Sequence, residues 1–124
     1  MILIDSNLLI YAARPEYDAL RHWLSIQNCA VSLASNIEVL GYHKLTATDK
    51  YRFEKMFTIL RILPVSNLIA ETAIRLRQHR KMSLGDAIIA AIALEWHITI
   101  ATHNTDDFVW IDGLVVIDPL TNGL

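Results

Sequence analysis

The chain alternates short apolar runs with longer amphipathic stretches. Ile2–Ile4, Ala30–Leu33, Ile62–Val65, Thr99–Ala101 and Leu114–Ile117 are brief, apolar and in part β-branched, and polar or turn residues bound them. Each run predicts a short buried strand. Between them, apolar residues recur at helical spacing. Leu20, Trp23, Leu24 and Ile26 predict a helix over 17–27, and a short helix is expected after Ser35. Phe53, Met56, Phe57 and Leu60 mark another, and Leu68, Ile69, Ala73 and Leu76 line one face of a helix near 67–80. Ala87 to Trp96 is apolar on nearly every face, as expected of a helix buried between neighbours.

Strands without a polar face, alternating with helices, predict an α/β fold whose parallel sheet is covered on both sides. Right-handed crossovers follow, and ligands of such sheets bind beyond the carboxyl ends of the strands. That edge is where this sequence carries its charge. Asp5 follows Ile2–Ile4 directly, although apolar residues resume at Leu8; an unpaired carboxylate buried there costs several kcal/mol. Glu38 lies just after the second strand, in "SNIEVLGY". The helix opening near Asp86 returns the chain to Thr99, so its N-terminus lies at the same edge. Asn104 and Asp107 follow the Thr99–Ala101 strand in "THNTDDF".

Each of these residues also has a purely structural explanation. Ser35-x-x-Glu38 and Ser83-x-x-Asp86 match a capping box, Asn104 suits an N-cap, and Ser6 and Asn7 suit the cap of the first helix. Together they call for more. Carboxylates crowded at one edge repel one another, and some must hold protons at neutral pH. A divalent cation removes that repulsion, and an oxygen set without Cys or His suits hard Mg²⁺ or Mn²⁺ rather than Zn²⁺. The histidines show no zinc-binding spacing. His103 beside this edge reads as a solvent-facing loop residue or a phosphate contact. Asp106, Asp112 and Asp118 read as solvated surface acids.

Composition narrows the class. At 124 residues, 53% apolar and 19% charged, one globular domain spanning 1–124 is expected. No apolar run reaches membrane-spanning length, and the N-terminus lacks a signal-peptide pattern. The lone cysteine, Cys29, excludes an internal disulfide, agrees with a reducing cytoplasm and reads as a small buried hydrophobe. A net charge of −2 argues against a uniformly basic nucleic-acid binder. The charge is unevenly spread, however. Arg75, Arg77, Arg80 and Lys81 gather just before Asp86, Lys50, Arg52 and Lys55 form a second group, and acids collect in the C-terminal third. The first group is a candidate rim for RNA or a solvated helix face. Tyr11, Tyr17, Trp23 and Leu24 either extend the core or form an apolar surface patch.

"LIDSN", "SNIEVLGY", "SLGDAIIAAIA" and "ATHNTDDF" followed by "IDGLVVIDPL" resemble, in order and over nearly the whole chain, the four motif blocks of PIN domains. The small size and the N-x-x-D-F ending are most similar to VapC-type toxins of toxin–antitoxin systems. The resemblance implies a three-layer α/β/α fold with a five-stranded parallel sheet and metal-dependent cleavage of RNA. It places the family's acids at Asp5, Glu38 and Asp86, with Asp107 or Asn104 as the fourth site residue. Asp5 and Asp86 are then the principal Mg²⁺ or Mn²⁺ ligands, with Ser6 and Asn7 in support. Asn104 stands where some members have aspartate and brings no charge, which points to one tightly held ion. Ser6 stands where Thr is commoner, and His103 where Arg is frequent. A symmetric homodimer and an antitoxin covering the acidic edge are also implied, and Arg75–Lys81 then becomes a possible seat for an acidic antitoxin tail. Two other readings compete. One is a catalytically inactive PIN-like RNA-binding or scaffold domain. The other is a receiver-like or phosphatase-like domain phosphorylated on Asp5. Against the last, the chain has Asp5-Ser6-Asn7 instead of an Asp-x-Asp pair, and no Lys follows Lys81.

Overall fold

The computed structural model describes residues 1–121, so the last three positions of the expected 1–124 extent lie outside the described residues. Five strands, β1 (Ile2–Ile4), β2 (Cys29–Ser32), β3 (Arg61–Leu63), β4 (Thr99–Ala101) and β5 (Val116–Ile117), form one sheet in the order β3-β2-β1-β4-β5. Every pairing is parallel. The connections carry α1 (Ser6–Ala12), α2 (Asp18–Ile26), α3 (Leu33–Leu40), α4 (Ala47–Phe57), α5 (Asn67–His79) and α6 (Leu84–Trp96).

The strand pleat builds a core on each face, because successive side chains point to opposite sides. Leu3, Ala30 and Ile100 face α5 and α6. Ile4, Cys29, Val31 and Ala101 face α1 to α4. The expected α/β/α layering and five-stranded parallel sheet are therefore present. Tyr11, Tyr17 and Trp23 pack against the second core and Leu24 is buried in it, so they extend that core. Cys29 is buried as expected, and burial pushes its thiol up to about 11. Alanines 87, 90, 91 and 93 are buried along α6 with Ile89 and Ile92; these small side chains let α6 pack closely between the sheet and α5.

Element boundaries differ from the sequence pattern where local hydrogen bonding intervenes. β2 ends at Ser32, not at Leu33, because the Ser32 hydroxyl accepts the Ser35 N–H at 2.9 Å and opens α3 at Leu33. β3 ends before Pro64, which has no N–H to continue the ladder. β3 is also an edge strand, which leaves Arg61 and Ile62 exposed. β5 is confined to Val116–Ile117 and follows a turn in which Gly113 takes a φ of 88°. Among the described residues no helix is long and apolar enough to cross a membrane.

The chain moves outward from β1 to β2 and β3, then crosses back to place β4 on the other side of β1. The connection changes direction there, which opens a crevice beyond the carboxyl ends of β1 and β4.

Candidate active site

Asp5 occupies that crevice. It is the residue at which β1 gives way to α1, and its N–H donates to the Ala101 carbonyl at 3.0 Å. The side chain is only 3% exposed. Thr102, the first residue past β4 and fully buried, donates its hydroxyl to Asp5 Oδ2 at 2.7 Å. The same Thr102 oxygen accepts the Asn104 N–H at 3.0 Å. Asp5 therefore sits buried with one oxygen anchored to the neighbouring strand exit.

Glu38 and Asp86 arrive from α3 and α6. Ser83 caps α6 by accepting the Asp86 N–H at 3.1 Å, which sets Asp86 in the first turn. Glu38 reaches the site alongside Gly85, where an added β-carbon would lie 2.5 Å from Glu38 Oε1. Asp107 ends a 3₁₀ turn, Thr105–Asp107, that follows β4. Asp5, Glu38, Asp86 and Asp107 line one cavity of about 350 Å³, together with Ser6, Asn7, Ser83, Gly85 and Ile89. Among the described residues, no Lys, Arg or His lines it.

The electrostatics follow from that lining. Burial holds the Asp5 carboxyl above its ordinary range; the Thr102 hydrogen bond opposes this and the nearby Asp107 adds to it. Partial desolvation raises Glu38, with repulsion from Asp5 second. Asp86 is raised to about 6, by burial first and then by Asp5 and Asp107, with the Ser83 hydroxyl pulling the other way. Negative groups are thus held together without a countercharge. An all-oxygen, net-negative set of this kind fits a hard divalent cation. Among the described residues, no group of three or more His, Cys, Asp or Glu side chains is drawn tightly enough to cage an ion unaided.

Asp5, Glu38, Asp86, Asp107, Ser6 and Asn7 are brought together as the sequence suggested; Asn104 is exposed and does not line the cavity. Several local expectations need correction. Glu38 is not in a capping box, since Ser32 is the N-cap of α3 and the first turn holds no acid. Ser35 is instead buried and accepts the Ser6 hydroxyl at 2.8 Å. Asp5, not Ser6 or Asn7, is the N-cap residue of α1, and its side chain makes no capping hydrogen bond. Asn104 makes no side-chain cap either. Asp118 is no free surface acid: it meets His103 Nδ1 at 2.9 Å and accepts the Leu120 N–H at 3.0 Å. His103 is thereby tied down, with its ring edge-on to Tyr11. Arg75 leaves the basic group, donating to Thr72 at 3.0 Å beside Glu95. Thr102 and Gly85 carry no spacing signal of their own, although Thr102 stands one residue past a predicted strand and Gly85 one residue before a predicted acid.

The sequence profile of the PIN domain family matches residues 2–114. The chain belongs to the PIN domain family. Among named relatives, Ribonuclease VapC10 of Mycobacterium tuberculosis is 29% identical over 123 residues, covering 92% of this chain and 90% of that protein. A solved toxin–antitoxin complex from Klebsiella pneumoniae contains a chain 34% identical, with a TM-score of 0.75, covering 96% of this chain and 98% of that one. VapBC2 from Rickettsia felis, solved with a DNA fragment from its promoter, shares the fold at a TM-score of 0.81 and 19% identity, over 95% of this chain and 98% of that one.

Proposed function

We propose that the protein is a metal-dependent endoribonuclease, the toxin of a toxin–antitoxin pair, acting through one domain that spans 1–124. The observation that carries this reading is the convergence of Asp5, Glu38, Asp86 and Asp107, from four separate segments, on one cavity without a basic lining residue. Likeness to a protein named as a ribonuclease and to chains solved in toxin–antitoxin complexes supports the substrate and the partner.

In this reading Asp5 and Asp86 hold Mg²⁺, or Mn²⁺ in its place. When bound, the cation neutralises charge on the phosphate and lowers the pKa of water. Thr102 fixes the Asp5 carboxylate through Oδ2. Glu38 and Asp107 accept hydrogen bonds from the attacking water, and one of the two carboxylates takes up its proton. Asn7, exposed at the rim, donates its amide to a phosphate oxygen. Ser6, tethered to Ser35, holds the mouth of α1 in place. Hydrolysis then adds the water oxygen to phosphorus, breaks one P–O ester bond and delivers a proton to the departing ribose oxygen. An antitoxin inhibits by placing a basic side chain among the carboxylates. The toxin acts as a homodimer in the cytoplasm.

The test is cleavage of total RNA with Mg²⁺ or Mn²⁺ by the parent, Asp5→Ala and Asp86→Asn. The parent cuts, both variants lose cutting, and a chelator abolishes it. Cutting that survives both substitutions, or the chelator, overturns the mechanism. A folded parent that binds RNA without cutting it is the inactive scaffold instead.

A further inference from the structure

A second pocket of about 460 Å³ opens beside the carboxylate cavity and shares Ser83, Asp86 and Asp107 with it. Arg77, Arg80 and Lys81 line it together with Asp86, Asp106 and Asp107; none of the three cations makes an ion pair among the described residues, and Arg77 Nε donates to the Met82 carbonyl at 3.3 Å. Its floor includes Trp110. The indole N–H donates to the Asp107 carbonyl at 2.9 Å, which fixes the ring relative to the carboxylate site. The Arg80 guanidinium lies over the ring, 5.2 Å from its centroid.

We infer that this pocket binds the nucleotide flanking the scissile phosphate of a single-stranded RNA, stacking its base on Trp110 and pairing its phosphate with Lys81 and Arg77. The inference rests on the ribonuclease reading and gives its substrate a strand state. Three chemical features favour a nucleotide. Unpaired cations beside an acidic cavity answer a ligand that carries its own negative charge past that cavity. A positioned aromatic ring takes any base by its π-face, without sequence readout. Finally, Trp110 lines the pocket, and stacking on it needs an unpaired base, because a duplex keeps its bases inside the helix.

The experiment measures binding of a short fluorescent single-stranded RNA in chelator, and cleavage of the same RNA with Mn²⁺. Trp110 also packs against the core, so two apolar replacements are compared, both lacking the indole N–H. Trp110→Leu weakens binding about tenfold, whereas Trp110→Phe, which keeps a π-face, stays within about threefold of the parent. Lys81→Gln lowers the slope of log affinity against log salt by about 0.7. Replacing nucleosides one at a time by abasic ribose penalises the parent at one position next to the cut, and Trp110→Leu is blind to that change. Equal binding by Trp110→Leu and Trp110→Phe, an abasic penalty that persists in Trp110→Leu, or tighter binding of a duplex overturns the inference. So does a glutamate-rich peptide that outcompetes RNA and is lost with Lys81→Gln, which gives the pocket to a protein partner. A parent that shows the abasic pattern yet leaves RNA intact with Mn²⁺ overturns the hydrolysis reading and leaves the subsite standing.

Discussion

Gly85 stands where only the smallest residue admits Glu38: a β-carbon at position 85 would lie 2.5 Å from Glu38 Oε1. Gly85 is in the first turn of α6 and its φ is not positive, so alanine suits its backbone and improves helix propensity by up to about 1 kcal/mol. Gly85→Ala therefore separates stability from activity. The melting temperature holds or rises, while RNA cleavage falls because Glu38 is pushed aside. Adding Glu38→Asp, one methylene shorter, restores part of the cleavage. Unchanged turnover in Gly85→Ala would show that the position of Glu38 does not matter.

Thr102 is a positioning residue for Asp5. Thr102→Val keeps the shape but removes the hydroxyl that donates to Asp5 Oδ2 at 2.7 Å. The buried oxygen loses its partner, at a cost of about 1–3 kcal/mol in stability. Mn²⁺ affinity, read by calorimetric titration, drops about 10–100-fold, as is usual when a ligand's outer hydrogen bond is lost. Thr102→Ser restores it. A merely structural Thr102 would lower the melting temperature and leave Mn²⁺ affinity alone.

The crowded carboxylates make the metal-free protein more stable in mild acid. Asp86 is raised from an ordinary 3.8 to about 6, and Asp5 and Glu38 are raised as well. A raised acid holds its proton more tightly folded than unfolded. Its stabilising contribution is complete below 3.8 and is lost as pH rises through about 6. In chelator the melting temperature is therefore higher near about pH 5 than near about pH 7. Mg²⁺ raises the neutral value and flattens the difference. Asp86→Asn raises the metal-free melting temperature at neutral pH and shrinks the gain from Mg²⁺. A metal-free melting temperature that falls steadily on mild acidification would show that these groups do not strain one another.

The acids were legible because a strand end is legible. Apolar runs located the carboxyl edge, and Asp5, Asp86 and Asp107 each fall just past or just opposite such a run. Glu38 is legible from its place just past the second strand, but the capping box that competes with that reading is absent. Ser35 looked like the cap, but Ser32, buried at the end of β2, begins the helix three residues earlier; a buried serine ending an apolar run reads as more strand. Asp118 looks solvated in the sequence because its partner, His103, lies 15 positions upstream, at the exit of another strand. Pairings across the sheet leave no local spacing to detect. Thr102 and Gly85 are silent in the sequence for the same reason: what each one does is defined only by a side chain from a distant segment.

Cys29 gives a clean report on opening of the second core. Its thiol is buried and held up to about 11, and thiolate is the reactive form. Alkylation at mildly alkaline pH therefore proceeds only through unfolding, at a rate that follows denaturant concentration. Fast labelling of the native protein would mean that the α1 to α4 face opens locally.

β4 lies next to β1, with Ile2 paired to Thr99 and Ile4 to Ala101. β1 thus takes its neighbour from far along the sequence. Until β4 docks, the crevice has a single wall and Asp5 lacks the Thr102 hydroxyl that anchors it.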